Sequence, residues 1–166
     1  MEHYWTTTVG ESPEGWFTYP QLYSEFVKQL PNDSVFVEIG SWKGKSTAYM
    51  GVEVINSGKS IKCYAIDTWE GSDEHSEDPY IRTNKLYPLF ISNIQRVASV
   101  VTPIRKSSVE GASEFQDKSV DIAFIDACHS YECVKADIAA WLPKIKNRGI
   151  IAGHDYYWGT TESSRQ

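Results

Sequence analysis

The chain has 166 residues, 41% hydrophobic, 13% aromatic and 23% charged. That length suits one domain and excludes two full catalytic ones, and the apolar content can offset the chain entropy that a disordered tail cannot. Sixteen basic against 22 acidic residues leave a formal charge of -6, which argues against a phosphate-tracking nucleic-acid binder, because that mode needs a basic face.

No apolar run approaches the roughly 18 residues of a membrane-spanning helix, and the polar opening MEHYWTTTVGESPEG has no signal-peptide core, so no membrane partner and a cytoplasmic location are expected. Cys63, Cys128 and Cys133 are odd in number and form no CxxC pair, which predicts reduced, mostly buried thiols.

In chain order, an aromatic, turn-rich opening (Tyr4, Trp5, Pro13, Gly15, Trp16) precedes residues 21–30, where Leu22, Phe26 and Leu30 recur at a spacing of four. This predicts a short amphipathic helix, stopped by Pro31, Asn32 and Asp33. Residues 35–39 are apolar, β-branched and aromatic, too few for a helix, and lead into Gly40: a buried strand ending in a tight turn. From residue 44 to 55, Ala48, Val52 and Ile55 keep helical spacing, and Asn56, Ser57 and Gly58 close that helix. The pattern then repeats: strand 61–66, polar loop 70–79, helix 86–98, strand 101–104, helix 109–115, strand 120–125, helix 131–142 and strand 150–152.

Apolar strands alternating with helices predict an α/β fold, a doubly wound, mostly parallel sheet that stops after a fifth strand. The expected organisation is a single domain over 1–166, with an N-terminal cap through 33, a core over 34–156 and a tail over 157–166. The edge that such a short sheet leaves bare predicts a homo-oligomer.

In open α/β sheets ligands bind beyond the carboxyl ends of the strands, so the residues that follow each strand carry the chemistry. After the first strand stands EIGSWKGKST, residues 38–47, a glycine-punctuated turn feeding a helix N-terminus. Gly44, Lys45 and Ser46 look like the tail of a phosphate-binding P-loop, but that motif needs four residues between its glycines, and Gly40 and Gly44 enclose three. A dinucleotide fingerprint opening at Gly40 would need glycines where Trp42 and Lys45 stand. Neither a nucleoside triphosphate nor a nicotinamide cofactor fits. The remaining reading has Glu38 offering a carboxylate to an ammonium group while Gly40 and Gly44 let backbone lie against a nucleoside with an amino-acid tail. S-adenosylmethionine has that shape. Asp67, after the second strand in AIDTW, is placed to accept both ribose hydroxyls.

On these motifs the chain resembles the class I S-adenosylmethionine-dependent methyltransferases, from about Val35 to Tyr156. The resemblance implies a cofactor site built from Glu38, Gly40, Ser41, Gly44, Ser46 and Thr47 of the first motif, and from Asp67, Thr68 and Trp69 of the second. It also places Ser107, Ser108 and Val109, in KSSVEG, at the adenine, and Asp126 at the end of the fourth strand. The GxxxG spacing departs from the commoner alternating glycines, and is seen in a subgroup with sugar and small-molecule O-methyltransferases.

The densest cluster follows the fourth and fifth strands: Asp126, His129 in DACHSYE, then His154 and Asp155. In a parallel sheet all four emerge on one rim. Carboxylate oxygens of Asp126 and Asp155 suit Mg²⁺, with His154 a less usual ligand, whereas the irregular spacing of Cys128, His129 and Cys133 argues against zinc. His129 is the candidate general base, since imidazole takes a hydroxyl proton near neutral pH; its alternative role, shared with Ser130, is to cap the next helix. This arrangement resembles the metal-dependent O-methyltransferases that act on catechols and macrolide sugars, with His154 where that group has an acid.

The resemblance implies cation-assisted O-methylation of a small hydroxylated substrate such as a sugar or glycan, with Asp126 and His129 catalytic and Asp126, His154 and Asp155 holding the cation. A metal-independent N-methyltransferase and a non-catalytic cofactor-binding or oligomerisation module are the rivals. The acidic loop at 70–78 is expected to be solvated and mobile, able to close as a lid with His75 toward the substrate. Tyr156, Tyr157 and Trp158 can stack on a sugar or cover an apolar edge.

Overall fold

The computed structural model describes residues 1–4, 17–72 and 75–155; Trp5, Trp16 and the aromatic run Tyr156, Tyr157 and Trp158 lie outside them. Helix α1 spans Pro20–Gln29, strand β1 Val35–Ile39, helix α2 Lys45–Ser57 and strand β2 Lys62–Asp67. Helices α3 (Pro79–Arg82) and α4 (Leu86–Ile94) precede β3 (Val101–Arg105), helix α5 (Ser108–Ala112), β4 (Val120–Ile125), helix α6 (Tyr131–Trp141) and β5 (Ile145–Gly153). The five strands form one sheet in the order β3-β2-β1-β4-β5, and every pair is parallel. Strand order reverses at β1 and β4, which opens the crevice where such sheets take ligands. Among the described residues no helix is long and apolar enough to cross a membrane.

The period of two along the strands assigns residues to two cores. Phe36 faces α1, α2 and α4, packing with Tyr23, Met50, Val52 and Phe90. Val37 and Ile39 face α5 and α6, with Ile66, Ala123, Ile125 and Trp141. Each fully buried aromatic of this size contributes about 2 kcal/mol from the area it removes from water. Glu38 shares the Phe36 face, so the pleat itself drives a carboxylate into the first core.

Several boundaries differ from the sequence reading. In α1 the buried face is Tyr23, Phe26, Val27 and then Leu30, whereas Leu22 is 38% exposed. The i, i+3, i+4, i+7 set that includes Tyr23 outcompetes the strict spacing of four. The 86–98 helix ends as α-helix at Ile94 and tightens into a 3-10 turn over Gln95–Val97. The 109–115 helix is the shorter α5, opened by a capping box between Ser107 and Glu110. The last strand begins at Ile145 rather than 150, and its register on β4 shifts between the pairs Val120↔Ile145 and Ile122↔Ile150. Polar Lys146, Asn147 and Arg148 hid it, being tolerated because β5 is an outer strand of the described sheet. Only Cys63 of the three thiols is buried; Cys128 and Cys133 are half-exposed.

Candidate functional site

The turn after β1 is pressed against the end of β4. Gly40 has φ +88°, and a Cβ there would stand 2.1 Å from the Asp126 carbonyl oxygen, so only glycine fits. The Gly40 N–H donates to Ile66 O and the Asp126 N–H to Ile39 O, both at 2.8 Å, lacing β1 to its two neighbours where the crevice opens. Gly44, also at φ +88°, starts α2 with its N–H donating to Ser41 O at 2.8 Å.

Two carboxylates hold this turn from below and from the side. Glu38 is 1% exposed, and accepts from the Tyr23 hydroxyl at 2.9 Å, the Ser41 hydroxyl at 2.8 Å and the Thr47 hydroxyl. Burial pushes its carboxyl up, and the hydroxyls of Thr47, Ser46, Ser41 and Tyr23 pull it partly back. Asp67 accepts from the Ser41 and Trp42 N–H groups at 3.0 and 2.9 Å through one oxygen and from the Trp69 N–H at 2.7 Å through the other. Burial raises its carboxyl too, opposed by those backbone donors. Asp67 lies on the wall of the cavity described next, whereas Glu38 does not.

A cavity of about 860 Å³ runs along the carboxyl ends of the strands, within the range of sites that enclose a cofactor-sized ligand. Its wall includes Gly40, Ser41, Gly44, Ser46, Asp67, Thr68, Ser107, Ser108, Val109, Asp126, His129, His154 and Asp155. Thus most of the residues singled out in the sequence surround one space.

Three do not reach it. Glu38 and Thr47 bond to each other beneath the turn, and Glu38, expected to meet a cofactor ammonium, does not stand on the cavity wall. Trp69 is 1% exposed, packs 4.5 Å from Phe90 and 4.8 Å from Tyr87 between ring centroids, and donates its indole N–H to Trp42 O. Its φ of +53° turns the side chain into the core while its backbone N–H stays on Asp67.

The polar rim gathers at the ends of β4 and β5. Asp126 accepts from the Tyr19 hydroxyl at 2.6 Å. Burial raises the Asp126 carboxyl, countered by that phenol and then by His154. His154 Nδ1 lies 3.1 Å from Asp155 Oδ2 and 3.8 Å from Asp126 Oδ1, and His129 Nε2 lies 3.1 Å from the same Asp155 oxygen. One ligand atom each from Asp126, His154 and Asp155 falls within 4.8 Å of the others. Helix α6 is capped by Ser130, whose hydroxyl accepts from the Cys133 N–H at 3.3 Å, so the capping role weighed for His129 falls to its neighbour.

The acidic loop is tethered at its carboxyl end. Lys43, 5% exposed, pairs with Asp78 at 2.9 Å, and Asp78 accepts from the Tyr80 N–H at 2.8 Å to cap α3. Burial opposes, but Lys43 and the cap hold the Asp78 carboxyl below its ordinary value. Within that loop His75 Nδ1 lies 2.7 Å from the Ser72 hydroxyl, and its ring lies against that of Trp42, centroids 4.3 Å apart and planes tilted by 36°, on the cavity wall.

Sequence reasoning missed Tyr19, Thr18 and Asp137. The Thr18 hydroxyl lies 3.3 Å from His154 Nε2 and the Tyr19 ring 4.8 Å from the His154 ring. No spacing in the sequence announces Thr18 or Tyr19. Asp137 had a usable signal: it sits four positions before Trp141, on the face of α6 that is buried.

Residues 37–156 match a protein family described as a methyltransferase domain. An uncharacterized protein, y4gI, of Sinorhizobium fredii is 31% identical over 119 residues, which cover 72% of this chain and 13% of that protein. Among solved structures, a Corynebacterium glutamicum protein superposes with a TM-score of 0.59 at 16% identity, over 89% of this chain and 62% of the other. Precorrin 8w decarboxylase of Methanobacterium thermoautotrophicum gives 0.55 at 19% identity, over 82% and 63%. Geranyl diphosphate C-methyltransferase from Streptomyces coelicolor A3(2), in complex with Mg²⁺, geranyl diphosphate and S-adenosyl-L-homocysteine, gives 0.52 at 11%, over 80% and 42%. At these identities the likeness is one of fold, and the chain spans less than two thirds of each relative's length.

Proposed function

This chain belongs to the methyltransferase-domain family, on the class I S-adenosylmethionine-dependent fold, and from that premise we propose that it moves the sulfonium methyl of S-adenosylmethionine onto an oxygen of a small hydroxylated acceptor such as a sugar or glycan, with a divalent cation assisting. The observation that carries the acceptor side is the convergence of Asp126, His154, Asp155 and His129 on the wall of the same cavity as the glycine turn and Asp67.

Two carboxylates and one imidazole, with ligand atoms within 4.8 Å of one another, form a donor set that fits a divalent cation. Bound there, a cation would act as a Lewis acid that lowers the pKa of the acceptor hydroxyl. The chain's own residues do the rest. The turn at Gly40 and Gly44 and the Asp67 carboxylate position the cofactor, so that acceptor oxygen, methyl carbon and sulfur lie in line, an orientation effect that can lower a barrier by several kcal/mol. His129 takes the hydroxyl proton, and the Asp155 carboxylate at 3.1 Å from Nε2 stabilises the imidazolium that results. The new carbon–oxygen bond forms as the carbon–sulfur bond breaks, leaving S-adenosylhomocysteine and a methyl ether.

Methyl transfer to a panel of hydroxylated acceptors, with and without a chelator, tests this reading. His129→Ala is expected to keep cofactor binding and lose turnover. Turnover that survives chelation favours a metal-independent enzyme, methylation of an amine favours N-transfer, and cofactor binding without turnover on any acceptor favours a binding module. The outer position of β5 in the described sheet supports a homo-oligomer; a monodisperse monomer in light scattering would count against it.

A further inference from the structure

Cys128 and Cys133 both stand on the cavity wall, and the mechanism above uses neither. They bracket the start of α6, with Ser130, the residue that caps the helix, between them. The Ser130 hydroxyl lies 3.5 Å from Cys128 Sγ and accepts from the Cys133 N–H at 3.3 Å, so both residues reach one oxygen. Side chains in an α-helix lean back toward its N-terminus. Cys133, in the first turn of α6, is thereby directed toward the segment that carries Cys128. Both thiols are half-exposed and open to a small solute, whereas Cys63 is buried in the first core.

We propose that Cys128 and Cys133 form a dithiol site for a hydroperoxide, and that their oxidation to a disulfide weakens binding of the methyl donor in the cavity. With hydrogen peroxide, one thiol sulfur attacks the O–O bond and takes an OH, becoming a sulfenic acid, while its proton leaves with the other oxygen as water. The second sulfur displaces that OH, which departs as a second water with the second thiol proton. Two thiols and one peroxide thus give one disulfide and two waters, the sulfurs losing the two electrons that the peroxide gains. The bond draws the sulfurs to about 2 Å and closes a ring that contains His129. It therefore reshapes the wall between Asp126 and α6, where a bound ligand lies against both cysteines. Linkage makes the effect mutual: a ligand that prefers the dithiol resists oxidation by the factor that the disulfide costs its affinity. The thiol chemistry stands on this geometry alone, and its effect on the donor rests on the reading of the cavity as the S-adenosylmethionine site.

The test treats the full reduced chain with hydrogen peroxide, removes the peroxide, and reads both the covalent state and the affinity for S-adenosylhomocysteine. Trypsin cuts after Lys118 and Lys135, so one peptide, 119–135, carries both cysteines. After oxidation that peptide is expected to be lighter by two hydrogens and closed to alkylation, with Cys63 still alkylated once the chain is unfolded. Calorimetry of the oxidised chain is expected to show S-adenosylhomocysteine bound at least about tenfold more weakly, with dithiothreitol restoring the reduced value. Cys133→Ser should stop at a sulfenic acid on Cys128, captured by dimedone. A peptide 119–135 that keeps both thiols, carries a sulfinic acid or is linked to a second chain overturns the inference, whatever the variant does. An internal disulfide that leaves the affinity unchanged overturns its coupling to the cavity. If the reduced chain binds no S-adenosylhomocysteine the cofactor reading falls and the coupling with it, while the mass of peptide 119–135 still decides the dithiol site.

Discussion

Tyr19 and Asp126, 107 positions apart, are joined by a 2.6 Å hydrogen bond from phenol to carboxylate. Burial, with the charges of Asp126 and Glu38 beside it, holds the Tyr19 hydroxyl far above its ordinary pKa, so it remains a donor. Its ring also leans on Phe124 and His154, each 4.8 Å away between centroids. The segment ahead of α1 therefore orients one member of the acceptor-side cluster and packs on another.

Tyr19→Phe keeps the ring and removes the donor. Outer-shell partners of this kind are worth roughly 10- to 100-fold in metal affinity or activity. The variant is expected to bind S-adenosylhomocysteine as wild type does and to lose about tenfold in divalent-cation affinity, read by titration against the cation. Unchanged cation affinity would remove Tyr19 from the site.

Glu38 offers a pH test. Its folded carboxyl sits above the ordinary 4.5 because of burial, so as pH rises past that value the folded chain holds a proton that the unfolded chain has released. Its contribution to stability is therefore full below the unfolded value and lost as pH rises through the folded one. Glu38→Gln removes this slope. Denaturant melts should show the stability of Glu38→Gln, relative to wild type, improving from acid toward neutral pH. A difference that is flat with pH would mean that Glu38 folds as an ordinary carboxylate.

At Gly40 the conflict is steric. A methyl group would meet the Asp126 carbonyl at 2.1 Å, at a φ of +88° that alanine avoids. Overpacking and the left-handed backbone together should cost Gly40→Ala about 2–5 kcal/mol, read from the shift in denaturation midpoint. A loss below about 0.5 kcal/mol would show that the turn is free to move, as substitutions at sites without special constraints are.

The strands and most of the cavity wall were legible because period-two apolar runs and glycine punctuation are local signals. Val35–Ile39 reads as a buried strand from its own residues, and position at a strand end placed Asp67, Asp126 and His129 on one cavity. What stayed hidden depended on partners remote in sequence. Glu38 is an acid at a strand end like the others, but the pleat sends it under the turn toward Tyr23 and Thr47, a choice fixed by which helix covers that face. Trp69 is adjacent to cavity-lining Thr68 and turned inward by a single positive φ. Lys43 reads as a loop cation until Asp78 is brought to it from the far end of the acidic loop.

The thiols should separate by chemistry. Cys63 is 3% exposed and burial pushes its thiol far up, whereas Cys128 lines the cavity and, although burial raises it, the side chains of Cys133 and Ser130 bring its thiol below the ordinary value. Reactivity follows the thiolate, so iodoacetamide on the native chain should modify Cys128 well before Cys63, and S-adenosylhomocysteine should slow it. Equal labelling of the two, unaffected by that ligand, would contradict the placement of Cys128 on an occupied wall.

The most direct measurement is titration calorimetry of the chain with S-adenosylmethionine, run in parallel with adenosine triphosphate and a nicotinamide dinucleotide. Saturable one-to-one binding of the sulfonium compound, with no heat from the other two, is the expected result. Heat from the triphosphate or the dinucleotide, with none from S-adenosylmethionine, would contradict the cavity's assignment and the methyl transfer built on it.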